Sequence, residues 1–213
     1  MFTRLGGFFT ESSLWIWRII QLNIMWIFHI LLGGIVLGLF PATVAMFATT
    51  RKWLKGGIDY PMLQEYRNYY KDNFWKANAL GWIYFLIGAF LVIDLLLVTQ
   101  IQGIIALIST MIILFILVIY VFSFLYFFSY YVHFQQTFRN YLFQPFIITL
   151  ISLKHNLLIT IGLMMIGYLI QQFPGLIPFT LGVMPAYWVM KISMNRFKEV
   201  QYGSRHEIAG GQS

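Results

Sequence analysis

Ile104–Phe134 reads IIALISTMIILFILVIYVFSFLYFFSYYVHF, a run without a single Asp, Glu, Lys or Arg. About 20 apolar residues suffice to cross the hydrocarbon core of a bilayer. A backbone in that environment must satisfy its own hydrogen bonds, so the run is expected to be a helix. Three further apolar runs stand beside it: Leu14–Thr50, Ala77–Val98 and Leu157–Met194.

Composition supports the same class. Of 213 residues, 60% are hydrophobic, 19% aromatic and only 10% charged, against about 25% charged in ordinary soluble domains. So few charges could not cover so much apolar side chain in water. The net charge of +7 is spread between long apolar segments, which argues against nucleic acid as a partner and for a topology signal. Without cysteine there is no disulfide, thiolate catalysis or zinc–thiolate site. A cleavable leader is not expected either, because the first apolar stretch far exceeds a leader's apolar core of 7–15 residues.

The basic residues fix an expected direction. Arg51, Lys52, Lys55, Arg67, Lys71 and Lys76 lie in one connection, Arg139 and Lys154 in another, and Lys191, Arg196, Lys198 and Arg205 near the end. The connections at 99–103 and 171–178 carry none. The positive-inside rule puts the basic segments in the cytoplasm and the uncharged turns outside.

The first run is too long for one crossing. Leu37-Gly38-Leu39-Phe40-Pro41-Ala42 recurs as Leu181-Gly182-Val183-Met184-Pro185-Ala186, and both copies lead to a basic end. If the copies are equivalent, Gly33-Gly34 is an outer turn. The expectation is then an all-α integral membrane protein, a single domain with six spans at 14–32, 35–54, 78–98, 103–126, 156–172 and 176–195. A polar tail follows at 197–213, and both termini are cytoplasmic. Pro41 and Pro185 are read as helix breaks. With one long helix in place of the first two spans, the count falls to five and the N-terminus lies outside.

Two connections suggest interfacial helices. In 61–76, Leu63, Tyr66, Tyr70 and Phe74 recur at helical spacing while charges cover the opposite side. The stretch at 143–156 repeats this faintly. The ring-rich end of the Ile104–Phe134 run is expected to project into the cytoplasm, its rings serving as belt and packing.

Leu22-Asn23-Ile24-Met25-Trp26, the Gly38-x-x-Pro41-Ala42-Thr43-x-Ala45 segment, Arg51-Lys52 and Phe74-Trp75-Lys76-Ala77-Asn78 together resemble the YesL family of bacterial membrane proteins. The resemblance covers nearly the whole chain and is densest in its first 80 residues. It implies a small polytopic protein of the bacterial cell membrane. It also implies an accessory or regulatory subunit of an oligosaccharide importer of the ATP-binding cassette (ABC) type.

Ionisable and polar groups inside the spans are the candidate sites. Asp94 stands in Leu91-Val92-Ile93-Asp94-Leu95-Leu96 with no basic residue in its span. His29 is expected near the same outer surface, within reach of Asp94. Arg18 can snorkel to the headgroups, and Asn23 is expected to bond across a helix interface. Lys154-His155-Asn156 fits headgroup contact. The four histidines are dispersed, so no metal is expected. Phosphate-cradling loops, dinucleotide fingerprints and nucleophile elbows are absent, so no cofactor or catalytic residue is assigned. The leading expectation is a non-enzymatic subunit whose Leu63, Tyr66, Tyr70 and Phe74 dock a partner such as an ABC permease subunit. A small autonomous transporter or channel is one alternative, and a lipid-binding scaffold another.

Overall fold

A computed structural model describes the backbone of residues 2–210 and the side chains of residues 11–200. The side chains of Arg4, Arg205 and His206, and all of 211–213, lie outside the described residues. Among those described, the regular structure is entirely helical: α1 (Phe2–Leu32), α2 (Leu39–Gly56), α3 (Met62–Asp72), α4 (Phe74–Val98), α5 (Ile104–His133), α6 (Phe138–Leu150), α7 (Leu153–Gln172), α8 (Ile177–Thr180) and α9 (Val183–Gly210). Residues 11–32 of α1, together with α4, α5 and α7, are long and apolar enough to cross a membrane, and the bent segment from Pro174 through α9 makes a fifth candidate. The protein is an all-α membrane protein. Segment 197–210 is not a separate tail but the continuation of α9.

α1 and α2 form a tight antiparallel hairpin. Trp26 Nε1 donates to Thr43 Oγ1 at 3.1 Å, and Trp15 meets Trp53 edge-on at 5.7 Å. The partner of a residue thus moves back along α2 as α1 advances. The turn occupies 33–38, with Gly34 at φ 68° and Ile35 at φ 66°. Gly38 comes so close to α1 that a Cβ there would meet the backbone of His29 and Ile30. Only glycine permits that approach. α2, 18 residues long, carries Arg51, Lys52 and Lys55 near its end and is not among the helices apolar enough to cross by composition.

The two LGxxPA copies take the same place in their helices. α2 begins at Leu39 and α9 at Val183, so Pro41 and Pro185 both hold the third position. The first helical bond is alike as well: Ala42 N to Gly38 O at 3.0 Å and Ala186 N to Gly182 O at 3.2 Å. The reading of these prolines as helix breaks is corrected here. The first four amides of a helix have no intrahelical partner, so a residue without N–H costs nothing there. In the second copy the break falls on its own Leu181-Gly182, ahead of Pro185, where the Pro174–Thr180 segment meets α9 at 61°.

The buried centre is the ring-rich half of α5. Phe128 stacks on Phe47 of α2 at 5.4 Å, Phe127 leans on Tyr84 of α4 at 4.7 Å, Tyr131 meets Tyr141 of α6 at 4.9 Å, and Tyr130 meets Phe197 of α9 at 6.2 Å. The rings of this end therefore serve as packing, enclosed by α2, α4, α6 and α9. The other half of the α4–α5 hairpin is left outside the packing. Between Ala89 and Phe122, Ala106 alone is buried.

α6 contains a proline that does interrupt a ladder. Pro145 has no N–H to give the carbonyl of Tyr141, four residues earlier. The Tyr84 hydroxyl, fully buried on α4, stands 3.3 Å from that carbonyl and 3.1 Å from the carbonyl of Leu142. It replaces the missing donor. Tyr84→Phe should strand these acceptors and lower stability by about 1–3 kcal/mol. Thermal unfolding of the detergent-solubilised protein checks this, with Tyr168→Phe, exposed on α7, as the unaffected control.

Candidate functional site

The basic ends of several elements converge on one recess. α2 finishes in Arg51, Lys52 and Lys55, cations that suit the negative end of a helix dipole. Gly57, at φ 88°, then ends the helix and turns the chain toward α3. Lys52 pairs with Glu65 of α3 and lies 4.0 Å above the Tyr60 ring. Lys76 of α4 sits 4.5 Å above Tyr141 and 5.6 Å above Tyr131. The Tyr131 hydroxyl donates to Asn73 Oδ1 at 2.9 Å. The Tyr141 hydroxyl donates to Phe134 O at 2.8 Å and accepts from Gln136 N at 3.0 Å.

Two adjoining cavities result. One of about 430 Å³ is lined by Arg51, Lys52, Lys55, Asp59, Tyr60, Glu65 and Tyr69, among others. Its neighbour of about 830 Å³ is lined by Arg51, Tyr69, Asn73, Lys76, Tyr131, His133, Gln136 and Tyr141, among others. Arg51, Tyr69 and Val132 belong to both. Burial, with the positive charges of Arg51 and Lys198, holds the Lys55 ammonium below the usual lysine range. Burial, then the Glu65 carboxylate, pushes the Tyr60 hydroxyl up to about 12. Positive charge and hydrogen-bond donors dominate the walls. Among the described residues, no group of three or more His, Asp or Glu is arranged to hold a metal.

The sequence-derived candidates fall elsewhere or into structural roles. Leu63 is exposed, but Tyr66 and Tyr70 are buried and Phe74 packs partly against the core. Tyr66 donates to Ala42 O at 2.9 Å, and Tyr70 donates to His29 O at 3.2 Å. The apolar face of α3 is thus occupied by the α1–α2 hairpin, which corrects its assignment to partner docking. His29 lies between the rings of Tyr66 and Tyr70, 4.9 Å from each, and its Nδ1 is 2.8 Å from Met25 O. It faces α3, and no hydrogen bond joins it to Asp94. Asp94 itself is half-buried on α4, in the half of the α4–α5 hairpin that is left outside the packing. Arg18 is half-buried and acts electrostatically on Tyr60, at the rim of the smaller cavity.

Asn23 has the most definite task. Its side chain is fully buried. The amide Nδ2 donates to Pro178 O at 2.7 Å, while Oδ1 accepts from Gly182 N at 3.0 Å and Val183 N at 3.4 Å. It bridges the break between α8 and α9.

His155 and Asn156 are buried rather than set against headgroups. Asn156 donates to Thr149 O at 2.9 Å, and His155 lies 3.5 Å from Glu199. Arg196 donates to Ser152 Oγ at 2.8 Å and to Ile151 O at 3.1 Å, so it closes the end of α6. The recess was not anticipated from sequence. Its cations were read only as topology signals, and the spacing from Arg51 to Lys76 to His133 follows no helical period.

Comparison with known proteins places the chain. The family model described as "Protein of unknown function, DUF624" matches residues 19–95. The chain is 32% identical to uncharacterized protein YteU of Bacillus subtilis, over 84% of this chain and 80% of that protein. It is 30% identical to uncharacterized protein YesV, over 91% and 92%, and 28% identical to uncharacterized protein YesL, over 92% of each, both from the same organism. No solved structure matches. The chain belongs to this YesL-like DUF624 family.

Asn23→Ala should release three backbone groups at the α8–α9 break and destabilise the fold by about 1–3 kcal/mol per stranded group at most. Thermal unfolding in detergent measures it, and Asn23→Asp should restore acceptance from Gly182 and Val183 but not donation to Pro178.

Proposed function

We propose that this DUF624 protein is a non-catalytic subunit of a larger assembly in the bacterial cell membrane, with both termini on the cytoplasmic side. The assembly would be an oligosaccharide importer of the ABC type, the partner implied by the resemblance to YesL. The reading rests chiefly on one observation. The outer half of the α4–α5 hairpin stands clear of the bundle, and it carries Asp94 among Ile93, Leu95 and Leu96 with no hydrogen bond or ion pair to the other described residues.

A carboxylate in a spanning helix costs about 2.5–3.5 kcal/mol at the bilayer centre and less toward the end of the helix, where Asp94 stands about one turn before Val98. Such groups pair with other polar groups wherever one is within reach. A helix of a second membrane protein that supplies a donor at this level would remove the cost and cover the hairpin. Small residues and hydrogen bonds hold helices together in lipid, where the hydrophobic effect does not. The orientation rests on the gathering of Arg51, Lys55, Lys76 and Lys198 at one end.

Two outcomes are expected. Affinity purification from native membranes in mild detergent should recover importer subunits with the wild type and markedly fewer with Asp94→Leu. Equal recovery by both would remove Asp94 from the interface, and recovery of no importer subunit from the wild type would sink the assignment. Because the chain has no cysteine, single cysteines report the topology cleanly. In intact cells a membrane-impermeant maleimide should label Gln102→Cys but not Gln136→Cys.

A further inference from the structure

We infer that the basic recess shared by α2, α3, α4 and the end of α5 binds the phosphate of an anionic lipid headgroup. The positive-inside rule accounts for cations on this side, but not for their arrangement. Lys52 is matched by Glu65, whereas Arg51 and Lys76, which line the larger cavity, have no carboxylate partner among the described residues. The Arg51 Nε is shut off from solvent and has no hydrogen-bond partner among the described residues. The terminal amino groups of that guanidinium therefore carry its remaining donors, and a guanidinium grips phosphate through two of them at once.

Lys76 is exposed, but its ammonium is held over the rings of Tyr131 and Tyr141, at the mouth of the cavity it lines. Gln136 and Thr137 add uncharged donors on the rim. The volume of about 830 Å³ admits a whole headgroup with water. Lipid is favoured over a soluble anion by position. The recess opens where the apolar length of α5 ends at His133, at the depth where headgroups lie. Basic pockets between spanning helices on this side take anionic headgroups by the same physics. This inference does not depend on the importer assignment.

The test uses the purified full chain in neutral detergent, titrated separately with phosphatidylglycerol, phosphatidylcholine, inorganic phosphate and a glutamate-rich peptide, with binding followed by native mass spectrometry and thermal shift. Phosphatidylglycerol should bind and raise the unfolding temperature, and phosphatidylcholine should not. Arg51→Gln and Lys76→Gln should each weaken binding about fivefold, while Arg139→Gln, an exposed cation on α6, should leave it unchanged. Arg51→Lys, which keeps the charge and is the milder change, should fall between wild type and Arg51→Gln if the two-point grip matters. Equal weakening by Arg139→Gln would show diffuse attraction and overturn the site. So would equal affinity for both lipids. Saturation by inorganic phosphate without response to phosphatidylglycerol would overturn the lipid source, and preference for the peptide would overturn the ligand class.

Discussion

A helix broken within a bilayer exposes backbone groups that lipid cannot satisfy, and the second half of this chain contains such a break. Asn23 resolves it from the first helix. One amide side chain supplies a donor to Pro178 and an acceptor to Gly182 and Val183, so the 61° bend between α8 and α9 is locked to α1. The arrangement of α9 against α1 and α2 follows from that anchor. Gly182 lies under Trp26, whose indole N–H is bonded to Thr43 of α2. The same short stretch of α1 therefore registers both LGxxPA helices.

Tyr84 does comparable work on the other side of the bundle. Its hydroxyl serves the Tyr141 carbonyl freed by Pro145, its ring lies against Phe127, and its own carbonyl accepts from Tyr120 at 2.8 Å. Gly88 lets the Tyr120 ring lie flat on α4, since a Cβ there would overlap the phenol. Polar atoms of aromatic residues thus repair backbone defects at the depth where water is scarce. This is one use the chain makes of its nineteen percent aromatics, while other rings, Tyr131 and Tyr141 among them, line the basic recess.

What could be read from the residues alone follows from what each signal measures. Hydropathy reports solvent, so the apolar runs gave the helices but not all of their ends: α1 begins well before Leu14 and α9 runs on past Met194. The LGxxPA repeat reports local backbone demands, and both copies do open a helix in the same register. Periodicity in 61–76 reported that one face of α3 is covered, but not by what. Tyr66 and Tyr70 turn toward the chain's own hairpin, so a partner was not needed. The target of Asn23 and the convergence of Arg51, Lys76 and His133 depend on contacts between residues far apart in sequence. No local pattern encodes such contacts. Pro145 was visible as a residue, yet its compensating donor lies about sixty positions earlier.

The placement of buried rings at one end of α5 has a geometric result. α3 and α6 thicken the protein beside the basic connections, while the other end of the α4–α5 pair tapers to two helices. Between Ala89 and Phe122 the stiffness of this pair therefore comes from its own two helices and not from the packed bundle.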